Sequence, residues 1–208
     1  DMQKNKVRTR STVLKWTAPI AAALAIVFII GIFIGNGSPF NPLVLNAHAI
    51  YEAEYPEMAE YPGSEMIPGF ETRYEKWRKD QKEKRAYYGA GKELDAFIQK
   101  TAAELLSESN GENRVYSPLN VYMALAMLAE ITEGETRAQI LALLDSPDIK
   151  ALRKQAHDVW NANYNDDGSV TSILASSLWM NENIAFNAKT MQTLKENYYA
   201  SSYRGEMG

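Results

Sequence analysis

His48 and His157 are the two histidines of the chain, and it contains no cysteine. General-base, metal or covalent chemistry would therefore rest on two imidazoles, on hydroxyls or on carboxylates. His48 stands in a stretch rich in proline and glutamate. Asp158 follows His157 directly, but neighbours in sequence project from different faces of a helix. A relay or a metal site needs groups converging on one point, and neither histidine has evident partners. Ser117 is no better placed as a nucleophile. It lacks the Gly-x-Ser-x-Gly elbow, and the Pro118 that follows suits a helix cap. Lys150, Arg153 and Lys154 form a basic i, i+3, i+4 cluster, the spacing of an ordinary solvated helix face rather than of a polyanion site. Met123 and Met127 read as core filling. No catalytic, cofactor-binding or metal-binding residue is assigned, and an enzyme is not expected.

The bulk properties agree. A chain of 208 residues allows one domain with appendages. A hydrophobic fraction of 46% permits a core, and a net charge of −4 gives no reason to expect nucleic acid. The absence of cysteine excludes disulfide scaffolds, thiolate metal sites and cysteine nucleophiles.

Residues 16–35 carry no charge and run Trp-Thr-Ala-Pro-Ile-Ala-Ala-Ala-Leu-Ala-Ile-Val-Phe-Ile-Ile-Gly-Ile-Phe-Ile-Gly. As a helix they reach roughly 30 Å, the thickness of a hydrocarbon core. Lys4, Lys6, Arg8, Arg10 and Lys15 precede them, and no Lys or Arg follows until Arg73. This asymmetry predicts a cytoplasmic tail over 1–15, one span over 16–35 and an extracellular remainder. A cleavable signal is the competing reading, with Ala47-His48-Ala49 as the small-x-small site. That triplet lies thirteen residues past Ile34, far for such a site. Residues 36–70 hold five of the eight prolines together with Glu52, Glu54, Glu57, Glu60 and Glu65, and predict an acidic linker. Residues 71–91, with alternating charges, predict an exposed helical spacer.

The folded part begins near residue 92. Leu94, Phe97, Ile98, Ala102 and Leu105 recur at helical spacing. Ser117-Pro118 predicts a capped second helix, and residues 121–131 are apolar nearly all round, which predicts burial on every side. Thr136 and Gln139 have capping-box spacing for a third helix. Ser146-Pro147 repeats the cap-then-proline device before a fourth helix over about 148–163. Asn165-Asp-Asp-Gly168 predicts a turn. Residues 173–180 predict a strand covered on both faces and open at its edge. A fifth helix over 187–200 leads into an extended piece from Ser201. Helices followed by strands imply an α+β layer fold.

Asn113-Arg-Val-Tyr-Ser-Pro-Leu119, Ala124-Leu-Ala-Met-Leu-Ala129, Gly134-Glu-Thr136 and Gln139-Ile140 resemble the serpin signature around helices B and C. Ala175-Ser-Ser-Leu-Trp179 is similar to the serpin strand after helix D. Tyr198-Tyr-Ala-Ser-Ser-Tyr203 is similar to the end of helix E entering the central sheet. Taken in order over about 94–208, these segments resemble the N-terminal portion of a membrane-anchored, bacterial serpin. The resemblance implies helices A–E with the first strands of the sheet. It also implies a chain that stops before the remaining strands and the reactive-centre loop, and that does not inhibit or fold cooperatively alone. For the complete protein it implies a serine-type endopeptidase inhibitor using the suicide-substrate mechanism, with a target serine protease as partner. A non-inhibitory serpin-like surface binding module is the alternative. Asn120 stands where the family often has serine, and Ser176 where it often has asparagine. The resemblance ties both positions to opening of the central sheet.

Overall fold

The computed structural model describes residues 47–107 and 111–206. The predicted tail (1–15), apolar span (16–35) and first part of the linker (36–46) lie outside the described residues. Among the described residues no helix is long and apolar enough to cross a membrane.

The core is built where one largely apolar helix meets two amphipathic ones. Helix α3 (Pro118–Ile131) buries Tyr122, Met123, Leu125, Ala126, Met127 and Ala129. Helix α5 (Ile149–Asn163) turns Leu152, Ala156, Val159 and Trp160 inward, and α6 (Ala188–Tyr198) contributes Met191, Leu194 and Tyr198. The α5 and α6 sets each lie on one stripe of the helix, whereas the α3 set covers more than half of its circumference. Among the described residues the remaining α-helices are α1 (Phe70–Lys84), α2 (Asp95–Ser107) and α4 (Gly134–Leu143). A 3₁₀ segment, Ala90–Leu94, leads into α2. Phe97 of α2 meets Tyr122 of α3 edge to face, with ring centroids 5.6 Å apart.

Three strands form one sheet in the order β1-β5-β4. Strands β4 (Ser176–Asn181) and β5 (Ala200–Gly205) pair in parallel, from Ser176 opposite Ala200 to Asn181 opposite Gly205. Parallel neighbours need a crossover, and α6 supplies it. Strand β1 (His48–Tyr51) pairs antiparallel with the other edge of β5, from His48 opposite Arg204 to Tyr51 opposite Ser202. A separate hairpin of β2 (Asn165–Asp166) and β3 (Thr171–Ser172) turns through Gly168, whose φ of +76° suits glycine.

Several expectations need correction. Residues 48–61, predicted to be linker, are ordered against the domain. Strand β1 finds backbone partners in β5. Beyond it Tyr55 stacks on Trp160 at 5.5 Å, and Tyr61 meets Trp77 at 5.1 Å. Helix α1 buries no residue, yet it is not a free spacer. Trp77 Nε1 donates to Asp167 at 3.0 Å and Lys84 Nζ to Asn165 Oδ1 at 3.1 Å, which docks the helix on the β2–β3 hairpin.

The caps differ too. Ser117 occupies the position before α3 but its side chain caps nothing; instead it accepts from Asn120 Nδ2 at 2.9 Å. Thr136 and Gln139 form no capping box, because α4 starts at Gly134 and Gln139 donates to Glu135 one turn back. At α5 the cap is Asp148, which accepts from Ala151 N–H at 2.8 Å, while Ser146 Oγ donates to the Asp148 carbonyl. Strand β4 is not covered on both faces, since Trp179 is 44% exposed. Helix α3 keeps an open side at Ala124 and Ile131.

Candidate functional site

Among the described residues Glu130 is a buried carboxylate near the end of the most apolar helix. It is 7% exposed. Arg153 of α5 grips it with both prongs, Nε to Oε1 at 2.8 Å and Nη2 to Oε2 at 2.9 Å. Tyr198 of α6 donates its hydroxyl to Oε1 at 2.9 Å. One side chain thus ties α3, α5 and α6. Fork-on-fork geometry is the strong form of this pairing. Hydrogen bonding to Glu130 holds the Arg153 guanidinium above its ordinary pKa, against the opposing effect of burial. Burial, and then the Glu130 charge, pushes the Tyr198 hydroxyl up. Arg137 completes the arrangement by donating from Nε to the Ala129 carbonyl at 2.9 Å, at the end of α3. Arg153, Tyr198 and Arg137 are each engaged by an acceptor, so the cluster ties the helices together. Sequence reasoning missed Glu130. The available signal was a lone carboxylate within an apolar helix, a residue type rarely buried without a partner.

A second cluster surrounds Asp167. Burial opposes its charge. Hydrogen bonds from Trp77 Nε1, Ser169 Oγ and the Val170 and Ser169 amides outweigh that and hold the carboxyl below the usual carboxylate range. It joins α1 to the hairpin.

The sequence-flagged residues fall apart in space. His48 lies in β1 opposite Arg204. His157 sits on α5 among rings, 6.0 Å from Tyr87 and 5.8 Å from Tyr199 by centroid. Its Nδ1 is 3.4 Å from Asp158 Oδ1, and its Nε2 is 3.4 Å from the Tyr199 hydroxyl. Asp158 and the Tyr199 hydroxyl thus flank His157, correcting the expectation that it has no partners, but the hydroxyl is a phenol, and among the described residues no serine or threonine hydroxyl is hydrogen-bonded to a histidine. In the basic cluster, Arg153 is committed to Glu130 and Lys154 pairs with Asp158. Among the described residues no group of three histidines and carboxylates could hold a metal ion. An open cleft of about 210 Å³ is lined by Pro56, Met58, Asp80, Lys84, Tyr87 and others, of mixed charge and without a histidine.

The sheet has the stronger functional geometry. Ser117 and Asn120 are hydrogen-bonded at the start of α3, and Ser176 begins β4. Among the described residues no hydrogen bond joins Ser176 to that pair. Tyr199, with φ 49°, makes the abrupt turn from α6 into β5. Trp179 and Tyr203, register partners on β4 and β5, stack with centroids 4.5 Å apart on a partly exposed face. The far edge of β4 has no partner strand among the described residues.

A family model described as "Serpin (serine protease inhibitor)" matches residues 92–205, more than half of the chain. Alpha-1-antiproteinase of Rattus norvegicus is 28% identical over 105 residues, which is 48% of this chain and 25% of that protein. Serpin-Z2B of Oryza sativa subsp. japonica is 30% identical over 97 residues, 44% of this chain and 24% of that protein. The chain spans about a quarter of the length of these curated relatives. No solved structure matches. The matched region takes in α2 to β5, the helices gathered on Glu130 and the parallel strand pair, and by that match the chain belongs to the serpin family.

Proposed function

We propose that the chain is the N-terminal part of a serine-type endopeptidase inhibitor that works once, as a suicide substrate, in the complete protein. The family match over residues 92–205 carries this reading. In the proposed mechanism the target protease's serine attacks a bait bond in a loop that the rest of the protein supplies. The amide C–N bond breaks, the amine side leaves with a proton, and an ester joins the protease serine to the loop. The freed loop enters the sheet containing β4 and β5 as an extra strand before water can hydrolyse that ester. The Ser117–Asn120 pair and Ser176 are the residues of this chain proposed to influence how readily the sheet opens.

The test is to mix the complete protein with a panel of serine proteases. A covalent complex that survives denaturing electrophoresis is expected. Cleavage of the loop without a complex, or no reaction with any protease, would instead support the non-inhibitory binding module.

The same proposal places the protein in the cell membrane, with residues 16–35 as its single span, the N-terminus cytoplasmic and the domain outside. Retention of the span is supported by the position of Ala47 and Ala49. Ala47 packs against Gly205 and Ala49 pairs with Tyr203, so a mature chain starting at Ile50 would lose half of β1. Protease added to intact cells is expected to remove the domain. A soluble product beginning at Ile50 would refute the anchored topology.

A further inference from the structure

We infer that residues 48–61 form a releasable clasp, an opening unit of its own that closes the outer edge of β5. The inference goes beyond the inhibitory reading and does not need it. Strand β1 is the outermost strand of the sheet and its register with β5 shifts between Ala49 and Tyr51. Past β1 the segment has no regular structure and is held at separate points along its length. Ala53 N–H donates to Ser201 Oγ at 3.0 Å, and Glu54 pairs with Lys195. Tyr55 lies against Trp160 and Tyr164, and the Tyr164 hydroxyl donates to the Pro56 carbonyl at 2.8 Å. Ala59 N–H donates to Asp80 Oδ2 and Tyr61 N–H to the Asp167 carbonyl, each at 2.7 Å.

Ala59 alone in this segment is buried, so the clasp adds little to the core gathered by α3, α5 and α6. Segments with few buried apolar groups open at lower free energy than the core they rest on. Opening would bare the β5 backbone edge, a ready template for another strand, together with the face of Trp160 that Tyr55 covers. Closed, the clasp occupies both. Gly205 provides a handle on it: a Cβ there would lie 2.8 Å from Ala47 Cα, and its three nearest atoms all belong to Ala47. A methyl group at this position pushes on the start of the clasp.

The test uses the complete protein in detergent micelles and follows native-state hydrogen exchange. In Gly205→Ala the β5 amides are expected to exchange about tenfold faster than in the parent chain, while those of α3 and α5 keep their rates. Tyr55→Ser, midway along the clasp, is expected to do the same and serves if Gly205→Ala does not fold. The chain has no cysteine, so Ala49→Cys with Tyr203→Cys, a pair opposite in register, makes one defined crosslink. Oxidation is expected to slow β5 exchange and reduction to restore it. Acceleration of α3 and α5 in step with β5 would overturn the inference, since the clasp would then open only with the whole fold. Unchanged β5 exchange in both single variants, or cysteines that fail to pair in the folded chain, would overturn it equally.

Discussion

Glu130 is the residue on which the helix packing depends. Glu130→Ala would leave the Arg153 guanidinium and the Tyr198 hydroxyl without their acceptor in a mostly dry site. Hydrogen bonds to a charged group contribute about 1.5–3 kcal/mol, and an orphaned buried donor adds its own penalty. A loss of about 3 kcal/mol in denaturant unfolding of the complete protein is expected, with Glu130→Gln losing less. Equal stability of Glu130→Ala and the parent would show that the cluster is not structural. Asp167 makes a prediction about pH. Its folded pKa is depressed below the unfolded value of about 3.9, so its stabilisation is complete above about pH 4 and is lost as pH falls through the folded value. The indole N–H resonance of Trp77 should report detachment of α1 from the hairpin as the solution is acidified below pH 4. Asp167→Asn should abolish that acid-side transition, and a transition unchanged in the variant would assign it to another group.

Helix ends show where a sequence stops being informative and backbone geometry takes over. Asp148 caps α5 through the Ala151 amide, whereas Ser117 spends its hydroxyl on Asn120. Asp148→Ala is therefore expected to cost about 1 kcal/mol, the usual value of a lost cap. Ser117→Ala and Thr136→Ala are expected to cost less, and thermal melts of the three variants rank them. A larger loss at Ser117 than at Asp148 would restore the cap that the sequence suggested. The helices themselves were legible because periodicity is local: Leu152, Ala156, Val159 and Trp160 declare the inner face of α5 without reference to anything distant. The cap choice was not, since Ser146 and Asp148 both have the right chemistry and only the chain path selects one. Strand β1 was illegible for a different reason. His-Ala-Ile-Tyr lies in a proline- and glutamate-rich stretch, and its partner in β5 is some 150 residues away, as the Ala53–Ser201 separation of 148 shows. Glu130 was hidden likewise, with partners 23 and 68 residues distant. Composition judged residues 48–61 by what they can bury among themselves; their order comes from a surface that composition does not see.

At the scale of the whole molecule, apolar surface and an unpaired strand edge coincide. Trp179 is 44% exposed and Ile184 52% exposed, on or just past β4, whose far edge has no partner among the described residues. Ile131 at the end of α3 is 42% exposed. Covering a large apolar side chain is worth about 1.5–3 kcal/mol, comparable with a sizeable part of the 5–15 kcal/mol that stabilises a whole domain. A flat apolar edge is also a template for pairing with another chain. The opposite edge of the sheet is handled differently, because β1 lies over β5 there. Self-association of the full chain should therefore run through β4 and not through β5. The chain in micelles is expected to bind a hydrophobic dye and to associate with rising concentration in sedimentation experiments. Trp179→Lys places a charge on the open edge and removes its stacking on Tyr203, so it should lower both signals while the α3 and α5 amides keep their protection. Gly205→Ala, which loosens the β1 side, should raise association only to the extent that the clasp opens. Association unaffected by Trp179→Lys but abolished by the Ala49–Tyr203 crosslink would place the sticky edge at β5 and reverse this assignment.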